Sequence, residues 1–144
     1  MSEEIAIKAE LLPIYKLEKE MQKCPQLEIP TYHDFCKGLY ARSIVMPAGS
    51  LVTGAVHKYE CFFVVRSGCV IITTDEGPTK AESGYMTVTK SGGKRALLAL
   101  VDTLITTFHA NPEELREPDE VWDHFTVTAP ENIIEVLERM KLEE

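Results

Sequence analysis

Basic residues are scarce in this 144-residue sequence: 15 Lys and Arg stand against 23 Asp and Glu, a net charge of −8. A general nucleic-acid binder shows a basic domain, so no nucleic acid polymer is expected as a partner. No apolar run approaches the roughly 18 residues of a membrane span. The acidic opening MSEEIAIKAE also lacks the basic-then-apolar order of a secretory signal. No membrane partner is expected either. The four cysteines, Cys24, Cys36, Cys61 and Cys69, include no CxxC pair. A chain of this length does not need disulfide staples, so free thiols in a reducing cytoplasm are the expectation. Neither a Walker-type phosphate loop nor a GxSxG nucleophile elbow occurs.

What is present fits one globular domain: 44% of residues are apolar and 26% charged. The charge is unevenly spread. Residues 111–144 hold 3 basic and 11 acidic groups, while residues 31–110 hold 8 basic and 6 acidic. A pocket in the middle segment can therefore take an anion despite the acidic whole. The spacing predicts an amphipathic helix over residues 3–23, with Pro13 as a possible kink, inside an N-terminal segment 1–30. From Tyr40 onward, short runs rich in Val, Ile, Thr, Tyr and Phe alternate with Gly- and Pro-containing turns. Strands are predicted at Tyr40–Met46, Leu51–His57, Cys61–Arg66, Cys69–Thr74, Tyr85–Thr89, Ala96–Leu100 and Leu104–His109. Strands this short, without intervening helices, imply a mainly β fold, an antiparallel sandwich or barrel over residues 31–110. Residues 111–127 read as irregular, with Trp122 and Phe125 packing them onto the barrel. An acidic closing helix is predicted over Glu131–Leu142, led in by Pro130.

Two short patterns carry a resemblance to the cupin superfamily of small β-barrels. The second cupin motif matches in spacing: Gly84, five residues, Lys90-Ser91-Gly92, two residues, Arg95, three residues, Ala99. Arg95 stands where the motif places a metal-binding histidine. In the first motif the closing glycine is Gly68, which puts Cys61 at the glutamate position, His57 at the second histidine position and Ala55 at the first. The run Tyr40-Ala41-Arg42, Pro47-Ala48-Gly49 and Gly54-Ala55-Val56-His57-Lys58 further resembles small cupin-like proteins encoded by bacteriophages. The resemblance implies a single cupin-type antiparallel barrel with flanking N- and C-terminal helices. It also implies a homo-oligomer, a dimer first, paired through an edge strand or a swapped terminal segment.

The first expectation for function is a non-catalytic pocket for a small anion, phosphorylated or carboxylated, such as a nucleotide. The phage resemblance would make that nucleotide a signal of host defence. Arg95 is a planar donor fork suited to phosphate or carboxylate. Lys90 and Lys94 flank it, and Ser91, Gly92 and Gly93 are candidates for backbone contacts to phosphate. Lys58, beside His57, and Arg66 complete the expected ligand-binding set with His57 and His109. No cofactor and no metal is assigned. The alternative is a metal-dependent enzyme using His57 and Cys61, with His109 as a third donor. Two acid–base pairs on the pattern of cupin-related epimerases, His57 with Tyr59 or His109 with Asp102, are also open. A third possibility is a scaffold whose barrel only presents contacts.

Overall fold

The computed structural model describes residues 7–143. Among these described residues, eleven strands and three α-helices follow one another. After a 3₁₀ turn at Ala9–Leu11 come α1 (Leu12–Met21), β1 (Thr31–Cys36), β2 (Leu39–Met46), β3 (Leu51–Thr53) and β4 (Val56–His57). Then come β5 (Cys61–Ser67), β6 (Cys69–Thr74), β7 (Gly77–Glu82), β8 (Met86–Thr89), β9 (Ala96–Ala99) and β10 (Thr103–Ala110). The chain ends with α2 (Pro118–Phe125), β11 (Thr126–Val127) and α3 (Ile133–Leu142). Among the described residues, no helix is long and apolar enough to cross a membrane.

Two antiparallel sheets face each other. The larger runs β1-β2-β10-β5-β8, the smaller β3-β9-β6-β7, and β4 pairs with β11 beside them. The pairing follows from period-two alternation. On β5, Cys61, Phe63 and Val65 are buried while Phe62 and Arg66 are exposed. The inward residues Ile44, Met46, Phe63, Val65, Val70, Ile72, Leu97 and Ile105 form the main core between the sheets. A second cluster joins the helices to the barrel: Leu12 and Tyr15 of α1 and Ile133 and Leu137 of α3 meet Val56. A third packs Tyr40 of β2 against Val121 and Phe125 of α2, as expected of Phe125.

Several boundaries differ from expectation for identifiable reasons. Pro13 does not kink a long helix; it sits in the first turn of α1, where a missing N–H costs nothing. Residues 3–6 of the predicted helix lie outside the described residues. The predicted strand Leu51–His57 breaks at Gly54, whose N–H donates to the Arg95 carbonyl at 2.9 Å and redirects the chain into β4. Gly77–Glu82, between two predicted strands and assigned none itself, is an edge strand. Pro78 sits opposite Thr73 on β7, where no further strand needs its absent N–H. The irregular segment holds α2, with Pro118 in its first turn and Asp119 and Glu120 at the positive end of its dipole. The closing helix starts two residues late, at Ile133.

Gly68, the anchor of the first motif, links β5 to β6 with φ of +99°. A Cβ there would lie 2.5 Å from the Asp102 carbonyl oxygen and 2.7 Å from the Thr103 Cα. Both neighbours are backbone and cannot swing away. Gly68→Ala is therefore expected to cost on the order of 3 kcal/mol, from backbone strain plus overpacking. Gly38→Ala, also at positive φ but in open space, should cost about 1 kcal/mol. Urea denaturation of the two variants checks the ordering.

Candidate functional site

A cavity of about 140 Å³ lies between the two sheets, lined by residues from both. Its floor is the top of the core, Ile44, Phe63, Leu97 and Ile105, and Trp122 and Phe125 of α2 close one side. The polar lining is cationic or neutral: Arg42, Arg95, His57, His109 and the hydroxyls of Thr31, Thr53, Thr89 and Thr107. Among the described residues, no carboxylate lines it.

Arg95 enters from the residue before β9 and is held by three neutral acceptors. Its Nε donates to Thr89 Oγ1 at 2.9 Å, Nη1 to the Thr73 carbonyl at 2.7 Å and Nη2 to the Val88 carbonyl at 3.2 Å. Its guanidinium lies 5.4 Å from the Phe63 ring centre. Arg42 comes from β2, one pleat from the inward residues Tyr40 and Ile44, and stacks 4.6 Å over Trp122. Among the described residues, neither arginine meets a carboxylate at ion-pair distance. Burial pulls the pKa of both below the ordinary guanidinium value. A guanidinium nevertheless stays charged. The cavity thus holds two positive charges without a counter-charge.

The histidines answer to that field. His57 and His109 stack in parallel at 5.7 Å, and His109 lies face on to Phe125 at 4.1 Å. Nε2 of His109 is 2.8 Å from Thr107 Oγ1, and Nδ1 of His57 is 3.8 Å from the Cys61 sulfur. Burial, then Arg95, Arg42 and Lys94, push the His57 pKa down to about 4. Burial, His57 and Arg42 push His109 down to about 3. Burial pushes the Cys61 thiol up to about 11, against smaller opposing effects of Thr89 and Arg95. At neutral pH all three are uncharged.

The donor atoms of His57, Cys61 and His109 lie within 4.8 Å of one another. The donor types are those of a zinc site. Two guanidinium groups face the same space, and among the described residues no carboxylate lines it to offset them, which weighs against a divalent cation at the trio.

Of the seven residues expected to bind ligand, His57, Arg95 and His109 reach the cavity. Four do not. Lys94 is buried on the opposite side, where its ammonium pairs with Glu18 of α1 at 2.7 Å and lies 4.7 Å over the Tyr15 ring. Lys90 is exposed and paired with Asp75 at 3.8 Å. Lys58 turns to the Asp123 carbonyl at 3.3 Å. Arg66 is exposed on the outward side of β5. The backbone of the Ser91–Gly93 turn is committed as well, since Gly92 N–H donates to the His57 carbonyl and Gly93 N–H to the Lys90 carbonyl. The proposed acid–base pairs are separate too: Tyr59 stands beside His124, and Asp102 accepts from the Ala48 N–H at 2.8 Å. Arg42 and Trp122 had no place in the expected site. The signal for Arg42 was a charge in step with Tyr40, Ile44 and Met46, the inward register of β2.

No protein-family model matches the chain, and no curated protein matches its sequence. Solved structures do match the fold. KdgF from Halomonas sp. is 16% identical with a TM-score of 0.54, over 67% of this chain and 88% of that one. The cupin-2 domain of an XRE family transcriptional regulator from Enterobacter cloacae is 14% identical with a TM-score of 0.52, over 60% and 99%. A salicylate 1,2-dioxygenase from Pseudaminobacter salicylatoxidans is 17% identical with a TM-score of 0.56, over 81% of this chain and 35% of that one. At these identities the likeness is one of fold: a cupin-type antiparallel barrel with flanking helices.

The depressed histidines make stability depend on pH. In the unfolded chain each imidazole titrates near its ordinary value of about 6.5. Between about pH 6.5 and the folded values near 4 and 3, the unfolded state binds more protons than the native one. Stability is therefore complete above pH 6.5 and falls as the solution is acidified through that window. Urea unfolding from pH 7.5 down to 4.5 should show this decline, and the double variant His57→Gln/His109→Gln should show a distinctly shallower one.

Proposed function

We propose that the barrel is a binding protein for a small organic anion, a carboxylate or phosphate carried on a flat apolar body. The observation that carries this reading is the pair of arginines, Arg42 and Arg95, lining a carboxylate-free cavity without a counter-ion. Burying charge unpaired is costly, and an anion between them offsets that cost. Trp122, Phe125 and Phe63 supply flat apolar walls, and the neutral imidazoles and threonine hydroxyls can donate to further ligand oxygens.

Volume narrows the class. A cavity of 140 Å³ is close to the roughly 150 Å³ that holds one benzene molecule. A ring-sized group with one anionic substituent fits. A nucleotide fits only in part, with its phosphate at the arginines and its remainder outside. A defence nucleotide of the kind the bacteriophage resemblance implies is the largest member of this class, and a nucleoside monophosphate represents it in the test.

Calorimetric titration with inorganic phosphate, phenyl phosphate, benzoate and a nucleoside monophosphate tests the reading. At least one anion should bind, and Arg95→Ala and Arg42→Ala should each weaken it by about thirtyfold, the loss of about 2 kcal/mol in charged hydrogen bonding. Affinity within about twofold of the parent in both variants would refute it. Elemental analysis of the purified protein tests the metal alternative, which only the clustering of His57, Cys61 and His109 favours. Stoichiometric zinc, lost in Cys61→Ser, would replace the anion reading.

A further inference from the structure

The anion cavity has a neighbour. Thr53, Gly54, Ala55 and Trp122 line it and also line a second space of about 310 Å³, a cleft between α1 and the segment joining β3 to β4. Tyr15 and Glu18 of α1 form its other wall, and Val127 and Ala129 complete it. The two spaces adjoin at Gly54, where no side chain divides them. A Cβ there would meet only the Arg95 carbonyl, at 3.9 Å. Lys94, on the cleft side, is close enough to His57 to help hold its pKa down. Size also joins the two. Ordinary ligand pockets occupy roughly 300–1,000 Å³. The inner cavity of about 140 Å³ falls short of that range, and with the cleft added it lies within it.

The polar groups of the cleft are open but carry no unpaired charge. Oε2 of Glu18 accepts from Lys94 Nζ at 2.7 Å and from Thr53 Oγ1 at 2.6 Å. Its other oxygen, Oε1, has no partner among the described residues, and the side chain is 26% exposed. Lys94 is fully engaged by Glu18, the Gly54 carbonyl and the face of the Tyr15 ring. The Tyr15 hydroxyl and the Trp122 indole N–H also lack partners among the described residues. No fully buried polar side-chain atom lacks one there, so both groups are open rather than enclosed. The cleft thus offers an acceptor, a donor and a hydroxyl that is both.

That set selects a neutral, hydroxyl-bearing body. An ammonium group would find Glu18 already neutralised by Lys94, and a second anion would meet the carboxylate. Sugar hydroxyls donate and accept, and they match the set. The contrast in charge also fixes the direction of entry. An anionic head is drawn to the unpaired arginines, and the hydroxylated end stays at α1.

We propose that the cleft is a second subsite and that the ligand is a sugar-bearing anion, its carboxylate or phosphate between Arg42 and Arg95 and its hydroxyls against Tyr15 and Glu18. The inference rests on the anion reading and gives a place to the part of the ligand that the inner cavity cannot hold.

Calorimetric titration of the full chain with two matched pairs of probes tests it. Methyl phosphate and ribose 5-phosphate share a phosphomonoester, and benzoate and 4-(glucosyloxy)benzoate share an aromatic carboxylate. In at least one pair the sugar-bearing member should bind about tenfold tighter or more, the worth of two neutral hydrogen bonds. Tyr15→Phe keeps the ring beneath Lys94 and removes only the open hydroxyl. It should weaken the sugar-bearing member by about fivefold, the worth of one such bond, and leave its sugar-free partner within about twofold. Ala129→Leu, at a residue that lines the cleft and not the inner cavity, should discriminate in the same direction. If the sugar-free probes bind and neither sugar adds affinity, the second subsite is refuted and the anion reading stands. A gain that survives both substitutions also refutes the subsite. If none of the four probes binds, both readings fall together.

Discussion

In an antiparallel strand successive side chains point to opposite sides. A few strands of this barrel use both sides for different ends, and the core, the cavity and the outer face all depend on that separation. On β10, Ile105 enters the core, Thr107 and His109 enter the cavity, and Thr106 and Phe108 face outward. β2 repeats the arrangement with Ile44, Arg42 and Ser43. A one-residue slip of either strand would exchange the sides, burying Phe108 where His109 belongs and turning Arg42 to water. A bulge between β10 and β5 at Leu104 and Ile105 interrupts the pairing near Gly68, at the end of β10 away from Thr107 and His109.

The same alternation gives adjacent residues opposite roles. Lys94 and Arg95 are neighbours in sequence. Lys94 turns away from the barrel and fastens α1 through Glu18, which also accepts from Thr53 Oγ1 at 2.6 Å. Burial and Glu18 together push the Tyr15 phenol up to about 12, so the ring beneath the ammonium stays neutral. Arg95 turns into the barrel and is fixed by carbonyls and a hydroxyl rather than by an acid. A carboxylate in its place would neutralise the guanidinium. Neutral tethers hold the fork still and leave its charge unspent.

The cavity's electrostatics follow from which groups can lose their charge. Burial above all keeps both imidazoles neutral, with Arg95, Arg42 and Lys94 adding to it at His57 and His57 and Arg42 at His109. The arginines cannot lose their charge, and they set the sign of the site. At the motif positions that hold a metal in cupins, this chain carries Ala55, His57, Cys61 and Arg95. A fixed cation at a position where the motif has a neutral donor makes the barrel mouth positive, while the β-framework around it remains the same.

The sequence by itself determined the β character, most strand positions and the closing helix, because those depend on local alternation and turn chemistry that neighbouring residues carry. It also placed Gly68 and Arg95, because fixed motif spacing on one strand pair translates directly into position. Edge strands β1 and β7 escaped it, since polar residues and a proline suit an edge as well as a loop. Which basic residues share the cavity was decided only by tertiary structure. Lys58, Lys90 and Lys94 lie as near in sequence to His57 and Arg95 as any true neighbour, yet chain direction at Gly54, Gly92 and Gly93 sends each elsewhere. Arg42 and Trp122 come from β2 and α2, 80 positions apart, and local sequence holds no record of a contact between them. Their meeting depends on α2 folding back over the open end of the barrel, a long-range packing choice made by Tyr40, Val121 and Phe125 together.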